Sequence, residues 1–387
     1  MGTQLGFAEA LVNRKAGKNR RLEAIERQID WAAIALLLPA SRPASLPGRP
    51  AYPALPMFKA ILLAQWYQLS DPALEEALSD RLSFRRFCGF ALDAATPDET
   101  TLCRFRNELA REKAGERLMA ELERQLGARK LLVKDGTMID ATLIEAQAAR
   151  PKDKKEESKA EEEGSTAAQE GEAGATSQAG EAAVASERPQ DGPAAPAAGK
   201  DACQAAASEA AAAPTPKQAS KREKKKYKPA FDRDARFARK GGKSYYGYKA
   251  HVAVDRGSGL IRRALMTPAN VHDTVPADTL VMGDEKAVYG DKAYATHARR
   301  ASLKARGIKD RIMHRANKHQ PTLPRWQKKR NELIASARAP VERTFGIWRR
   351  AYGYARVRYF SLVANAFELQ MKCFAFNLRR LVVLTAA

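Results

Sequence analysis

Tyr245-Tyr-Gly-Tyr-Lys-Ala-His-Val-Ala-Val-Asp255, then Gly257-Ser-Gly259, then Leu260-Ile-Arg-Arg-Ala-Leu-Met266 is the stretch on which the reading of the fold turns. Branched and aromatic residues alternate with small or polar ones on both sides of a Gly-Ser-Gly turn, which predicts a β-hairpin. Upstream, Leu131 to Ile144 mixes branched apolar residues with Gly136 and predicts a strand. Downstream, a short helix follows Asn270, and Lys286-Ala-Val-Tyr-Gly-Asp291 predicts a further strand. Tyr294 to Arg306 reads as a helix and Ile308 to Met313 as a brief strand. Two closing helices run from Pro324 to Arg349 and from Leu362 to Leu384, with Pro340 either kinking the first or starting it.

Three antiparallel strands followed by alternating helices and strands make the plan of a ribonuclease-H-like fold, an α/β class with a mixed sheet and flanking helices. Ahead of it, residues 1 to 128 read as an all-helical N-terminal domain. Asp71-Pro72 and Thr96-Pro97-Asp98-Glu99 predict helix starts, each with a capping side chain and Pro at the first helical position. The second opens a helix with Leu102, Phe105 and Leu109 on one stripe and Arg104 pointing away. That pattern suits a recognition helix for DNA and equally an ordinary amphipathic helix. Residues 129 to 150 begin the catalytic domain, 151 to 216 form an insertion, and 217 to 387 complete the domain. The insertion is rich in Ala, Glu, Gly, Ser and Pro. It lacks the apolar surface to offset an ordering entropy of about 1 to 2 kcal/mol per residue, which predicts disorder.

Lys plus Arg total 67 against 45 Asp plus Glu in 387 residues, giving a net charge of +22 and a pI near 9.9. Polyanions are the natural partners of such a chain. Because the insertion is net acidic, the folded part is more basic still. Cys88, Cys103, Cys203 and Cys373 show neither paired nor metal-ligand spacing, which argues against a zinc site and fits a reducing cytosol. The N-terminus carries no apolar signal core, and the longest apolar run, Trp31 to Leu38, is too short to span a bilayer. The expectation is a cytoplasmic, nucleoid-associated protein with no membrane role.

Three acids in three local contexts stand out: Asp140 in the first strand, Asp291 at the end of a later one, and Glu342 in a closing helix. Spaced carboxylates on rigid elements suit a pair of Mg²⁺ ions, with Mn²⁺ as a substitute, for in-line phosphoryl displacement. Asp135, Asp255, Asp273 and Asp284 compete for those roles. His251 and His272 either bind phosphate, order a carboxylate, or serve the structure. Between Arg299 and Arg358 there are 18 Lys or Arg against three acids, interspersed with Trp326, Phe345, Trp348, Tyr352 and Tyr354. These suit phosphate neutralisation and base stacking, although Phe345 and Trp348 also suit a helix core. Lys217 to Lys240 is a second basic run, read as a flexible arm or a tracker of the DNA backbone.

The same residues resemble the DDE transposases of bacterial insertion sequences, in the group numbered five within the larger group numbered four. The resemblance lies in Gly136-Thr-Met-Ile-Asp-Ala-Thr142, Asp291-Lys-Ala-Tyr294, Tyr246 to His251, and Pro268 to Asp273. It lies also in a signature of Tyr, Arg, Glu and Lys, matched here by Arg338, Glu342 and Arg349. Ala335 stands in the Tyr position, and Arg349 replaces Lys. The resemblance implies a catalytic and metal-binding triad of Asp140, Asp291 and Glu342. It implies a homodimer that cuts transposon ends and joins them to target DNA. DNA contacts are expected from Arg338, Arg343, Arg349, Arg350, Lys292, Lys249, Arg104 and Arg106. Two other readings stay open, a nuclease that cuts without joining and a catalytically inactive DNA-binding repressor.

Overall fold

A computed structural model describes residues 18–39, 51–148, 231–316 and 321–386. The expected insertion at 151 to 216 lies outside the described residues, as does the basic run from Lys217 to residue 230.

The N-terminal part is helical, as its capping signals predict: α1 (Arg20–Gln28), α2 (Trp31–Ala35), α3 (Ala54–Tyr67), α4 (Asp71–Asp80), α5 (Leu82–Cys88), α6 (Glu99–Arg111) and α7 (Ala114–Ala128). The two predicted starts shift slightly. Ser70 caps α4, which puts Pro72 second, and Asp98 rather than Thr96 caps α6 by accepting the Thr101 N–H at 2.6 Å. A carboxylate serves better there because its charge also opposes the helix dipole.

The sheet holds β1 (Thr137–Glu145), β2 (Arg236–Lys240), β3 (Lys243–Asp255), β4 (Ile261–Pro268), β5 (Ala287–Gly290) and β6 (Lys309–Ile312). β3 is central. One edge pairs antiparallel with β1, and the other pairs antiparallel with β2 and then β4. Beyond β1, β5 and β6 follow in parallel. The expected hairpin is therefore β3–β4, and the mixed sheet with flanking helices matches the ribonuclease-H-like plan. β2 is a correction. Its Arg-Phe-Ala-Arg-Lys sequence lies in the run for which a flexible arm and a tracker of the DNA backbone are the two expectations, and the arm fails for this part, since its backbone pairs with β3 from Arg236↔Gly247 to Lys240↔Lys243. Ladder bonds need only main chain, so a charged composition hides them.

The remaining helices are α8 (Ala277–Leu280), α9 (His297–Ala305), α10 (Arg325–Ala351) and α11 (Leu362–Ala386). A 3₁₀ turn, Lys292–Tyr294, separates β5 from α9, which begins at His297 rather than at the expected Tyr294. Pro340 neither starts nor ends α10; the helix runs through it. Its buried stripe of Ile334, Arg338, Val341, Phe345 and Trp348, at helical spacing, offsets a proline cost of about 3 kcal/mol.

Period-two alternation divides the sheet between two cores. Met138, Tyr248, Val252 and Tyr289 face a larger core shared with the N-terminal helices, α10 and α11. Ile139, Ala253 and Val288 face a smaller one under α8 and α9. α11 is buried over most of its surface because it packs on α1, α3, α6, α7 and β4 together.

Candidate active site

β1 and β5 run parallel with Thr137 opposite Val288 and Met138 opposite Tyr289. Two residues further along each strand's path, Asp140, within β1, comes level with Asp291, the first residue past β5, on neighbouring strands about 4.8 Å apart. Their parity puts both on the face of Met138 and Tyr289, and α10 packs there against β1 and β5.

α10 brings the third acid. Glu342 is exposed one turn beyond Arg338, whose Nη2 lies 2.9 Å from Oδ2 of Asp140. Further along, Arg349 donates from Nη2 to Oγ1 of Thr142 at 3.1 Å, on the same face of β1 as Asp140. The helix is thus pinned over the strand at two points that bracket Glu342.

Each Asp spends one oxygen on the backbone. Oδ1 of Asp140 accepts the Ala141 N–H at 2.8 Å, and Oδ1 of Asp291 accepts the Lys292 N–H at 2.7 Å, capping the 3₁₀ turn. Each carboxylate keeps lone pairs on both oxygens for further partners, and at Asp140 one of those partners is Arg338 on Oδ2. Burial raises the Asp140 carboxyl above its ordinary value; Arg338 and the Ala141 N–H oppose the rise, while Asp291 and Glu342 add to it. Asp140 therefore feels both of the other carboxylates. Tyr294 lies 1 % exposed with its hydroxyl unpartnered. Burial first, and then the charges of Asp140 and Asp273, push its phenol upward, so it stays protonated beside the acids.

An all-oxygen donor set of two adjacent Asp and a nearby Glu suits a hard divalent cation rather than a soft one. The mutual repulsion at Asp140 marks charge that such a cation neutralises. Among the described residues no three His, Cys, Asp or Glu side chains stand close enough together to hold one ion. In donor chemistry the residues fit the cation, and the guanidinium of Arg338 sits against one of them.

The competing acids are accounted for otherwise. Asp255 accepts from the Val133, Lys134 and Ser258 N–H groups and ties the β3–β4 turn to the segment before β1. Partial burial works against the Asp284 charge, but hydrogen bonds from Lys134 and Arg262 hold its pKa down to about 2. Asp135 pairs with Lys286 at 2.7 Å, and Asp273 with Lys249 at 3.0 Å.

The expected DNA contacts divide. Lys292, Arg343, Arg349, Arg350 and Arg104 are exposed, with Arg104 lining a cleft of about 640 Å³. Arg106 is a correction: it is buried, 2.6 Å from Asp71 and stacked over the Tyr359 ring. Arg338 is likewise buried against Asp140. Lys249 is engaged by Asp273 and the Val271 carbonyl oxygen. These three charges are neutralised inside the fold. Phe345, Trp348, Tyr352 and Tyr354 are buried in the core, leaving Trp326 as the exposed ring of that set.

Sequence reasoning missed Arg299. It is 3 % exposed and donates to the carbonyl oxygens of Tyr294 at 2.6 Å and Thr274 at 2.7 Å while pairing with Asp278 at 2.7 Å. It clamps the turn after Asp291 to the segment after Asp273. Its only signal in the chain was the Thr296 cap that opens α9.

Such a sheet with spaced acids suits metal-dependent cleavage and transfer of DNA strands, the activity of the family whose model the chain matches. A transposase domain (DUF772) matches residues 9–108 and the transposase DDE domain matches residues 210–378, so the chain belongs to the DDE transposases of insertion sequences. DNA is accordingly its partner, and the family uses divalent metal ions. Asp140 lies between the two matched segments, so its place in the site rests on the register of β1 and β5. No solved structure matches the chain. Among the described residues no helix is long and apolar enough to cross a membrane.

Proposed function

We propose that the protein is the transposase of an insertion sequence in the group numbered five, acting as a nucleoid-associated homodimer on the terminal repeats of its element. The observation that carries this reading is the level placement of Asp140 and Asp291 on parallel strands beneath the helix of Glu342.

In this reading Asp140 and Asp291 hold Mg²⁺ ions, with Glu342 completing the set and Mn²⁺ as a substitute. The bound cations would supply charge neutralisation at the scissile phosphate and acidify a coordinated water. The chain's own residues position the DNA. Lys292 beside Asp291 and Arg349 on the Glu342 side of α10, both exposed, hold phosphates in line and offset the charge added in the transition state, while Arg343, which lines a groove with Gly259 and Arg380, and Arg350 hold DNA further out. Water attacks the phosphodiester at the transposon end and releases a 3′-hydroxyl. That hydroxyl attacks a target phosphate, displacing a 3′-oxygen and leaving the element joined. Residues 1 to 128 would contribute end binding and dimerisation, with Arg104 facing DNA, and residues 129 to 150 and 217 to 387 the chemistry.

The test incubates purified protein with a labelled duplex of the element's end and a target plasmid, with Mg²⁺ or EDTA. Metal-dependent joined product is expected. Cutting without joining would favour a nuclease, and binding with neither product a repressor.

A further inference from the structure

Arg338 was expected to reach DNA, and the fold places it elsewhere. Its side chain is buried, and its Nη2 lies 2.9 Å from Oδ2 of Asp140. Oδ1 of the same carboxylate already accepts the Ala141 N–H at 2.8 Å, whereas the backbone does not hold Oδ2, the oxygen more open to a cation from outside the strand. A guanidinium already holds it. We propose that Arg338 and a divalent cation compete for Oδ2 of Asp140, so that Arg338 is the residue that sets the cation affinity of the site. The inference rests on reading Asp140 as a metal ligand.

Two further features fit a partner built to let go. The Nε of Arg338 is buried without a hydrogen-bond partner, so the guanidinium is incompletely held where it stands. Pro340 lies two residues away inside α10, and a proline there donates no bond to the carbonyl of Ser336, the turn that carries Arg338. That interior turn lacks one main-chain bond and is the one that must adjust for the side chain to withdraw. Glu342 lies on the far side of the proline, so Arg338 can leave without removing the third acid. A displaced Arg338 remains one turn from the triad, within reach of a DNA phosphate.

The arrangement has an electrostatic logic. Asp291 and Glu342 work against the charge on Asp140, and a buried carboxylate without a counter-charge is costly. Arg338 supplies that counter-charge. A dication entering the same place meets both an occupied oxygen and a like charge, so its binding is weakened by whatever Arg338 contributes.

The test uses full-length protein and Mn²⁺ as probe, titrated by the paramagnetic signal of the free ion without DNA. Arg338→Gln is expected to bind Mn²⁺ at least about tenfold more tightly than wild type, with Arg338→Lys, shorter and making fewer contacts, in between. Thermal unfolding gives a second readout. Arg338→Gln should lose stability without metal and gain more from saturating Mn²⁺ than wild type gains. Should Arg338→Gln fail to fold, Arg338→Lys carries the comparison. Asp140→Asn separates the two levels of inference. If it leaves Mn²⁺ binding unchanged, the metal-ligand reading fails. If it removes binding while the folded Arg338 variants match wild type or bind more weakly, the competition alone is overturned.

Discussion

Arg299 reaches through the core to the carbonyl oxygen of Tyr294, donating from Nη1 at 2.6 Å. The turn it holds begins at Asp291, so a buried residue of α9 braces the segment that carries one of the three acids. Arg299→Met removes that bond, the bond to Thr274 and the pair with Asp278. Loss of about 2 to 3 kcal/mol is expected in denaturant unfolding, because the carbonyl oxygens of Tyr294 and Thr274 lose a charged donor while Asp278, 66 % exposed, is rehydrated. Where the variant folds, cleavage should fall more than binding to transposon ends.

Gly247 sits where β3 passes β1 at its closest. A Cβ there would lie 2.2 Å from the carbonyl oxygen of Ile144 and 2.8 Å from the Ala146 nitrogen, both main-chain atoms that cannot turn away. Gly247→Ala should destabilise by about 3 kcal/mol, measured by urea unfolding, whereas an alanine at the open Gly241 would cost its backbone strain alone.

His251 gives the fold a pH signature. Burial, opposed by Asp273 and assisted by Lys249, lowers its pKa from 6.5 to about 4. The unfolded chain therefore binds a proton between pH 6.5 and 4 that the folded chain refuses, so this contribution is present above 6.5 and lost as pH falls through the window. Its size is about 3 kcal/mol. His251→Gln should flatten the stability difference between pH 7 and pH 4.5 relative to wild type. An unchanged pH slope would show that His251 is not buried neutral.

Arg343, Arg349 and Arg350 are exposed on the last turns of α10. Replacing each by Ala should weaken end binding without changing sequence preference. Each should also reduce the slope of log K against log salt by about one. Arg106→Ala should instead lower stability, because Asp71 loses its partner inside the fold. Filter binding at several salt concentrations, with unfolding curves beside it, separates the two kinds of arginine.

Much of the catalytic half was legible in the chain. The alternation around Tyr248 and the Gly-Ser-Gly turn specify the hairpin, and the branched run through Ile139 specifies its neighbour, since period and burial are both local properties. The acids Asp140, Asp291 and Glu342 could be named because each sits in a distinctive local context. The fates of the arginines were not legible. Arg104 and Arg106 differ by two positions in one helix, yet one is exposed and the other is buried against Asp71, a partner 35 residues away. Arg262 finds Glu123 at a separation of 139. No pattern within one helix or strand encodes such a partner, so exposure of a charge follows from topology. β2 escaped notice for the related reason that its pairing is carried by main chain.

The central claim is that Asp140, Asp291 and Glu342 act together on DNA. Its most direct test measures Mg²⁺-dependent cleavage of a labelled transposon end by wild type, Asp140→Asn, Asp291→Asn and Glu342→Gln, with end binding followed in the same samples. Cleavage should fall to background in all three variants while each still binds the end. Cleavage retained at a substantial fraction of wild type in any one of them would contradict the account.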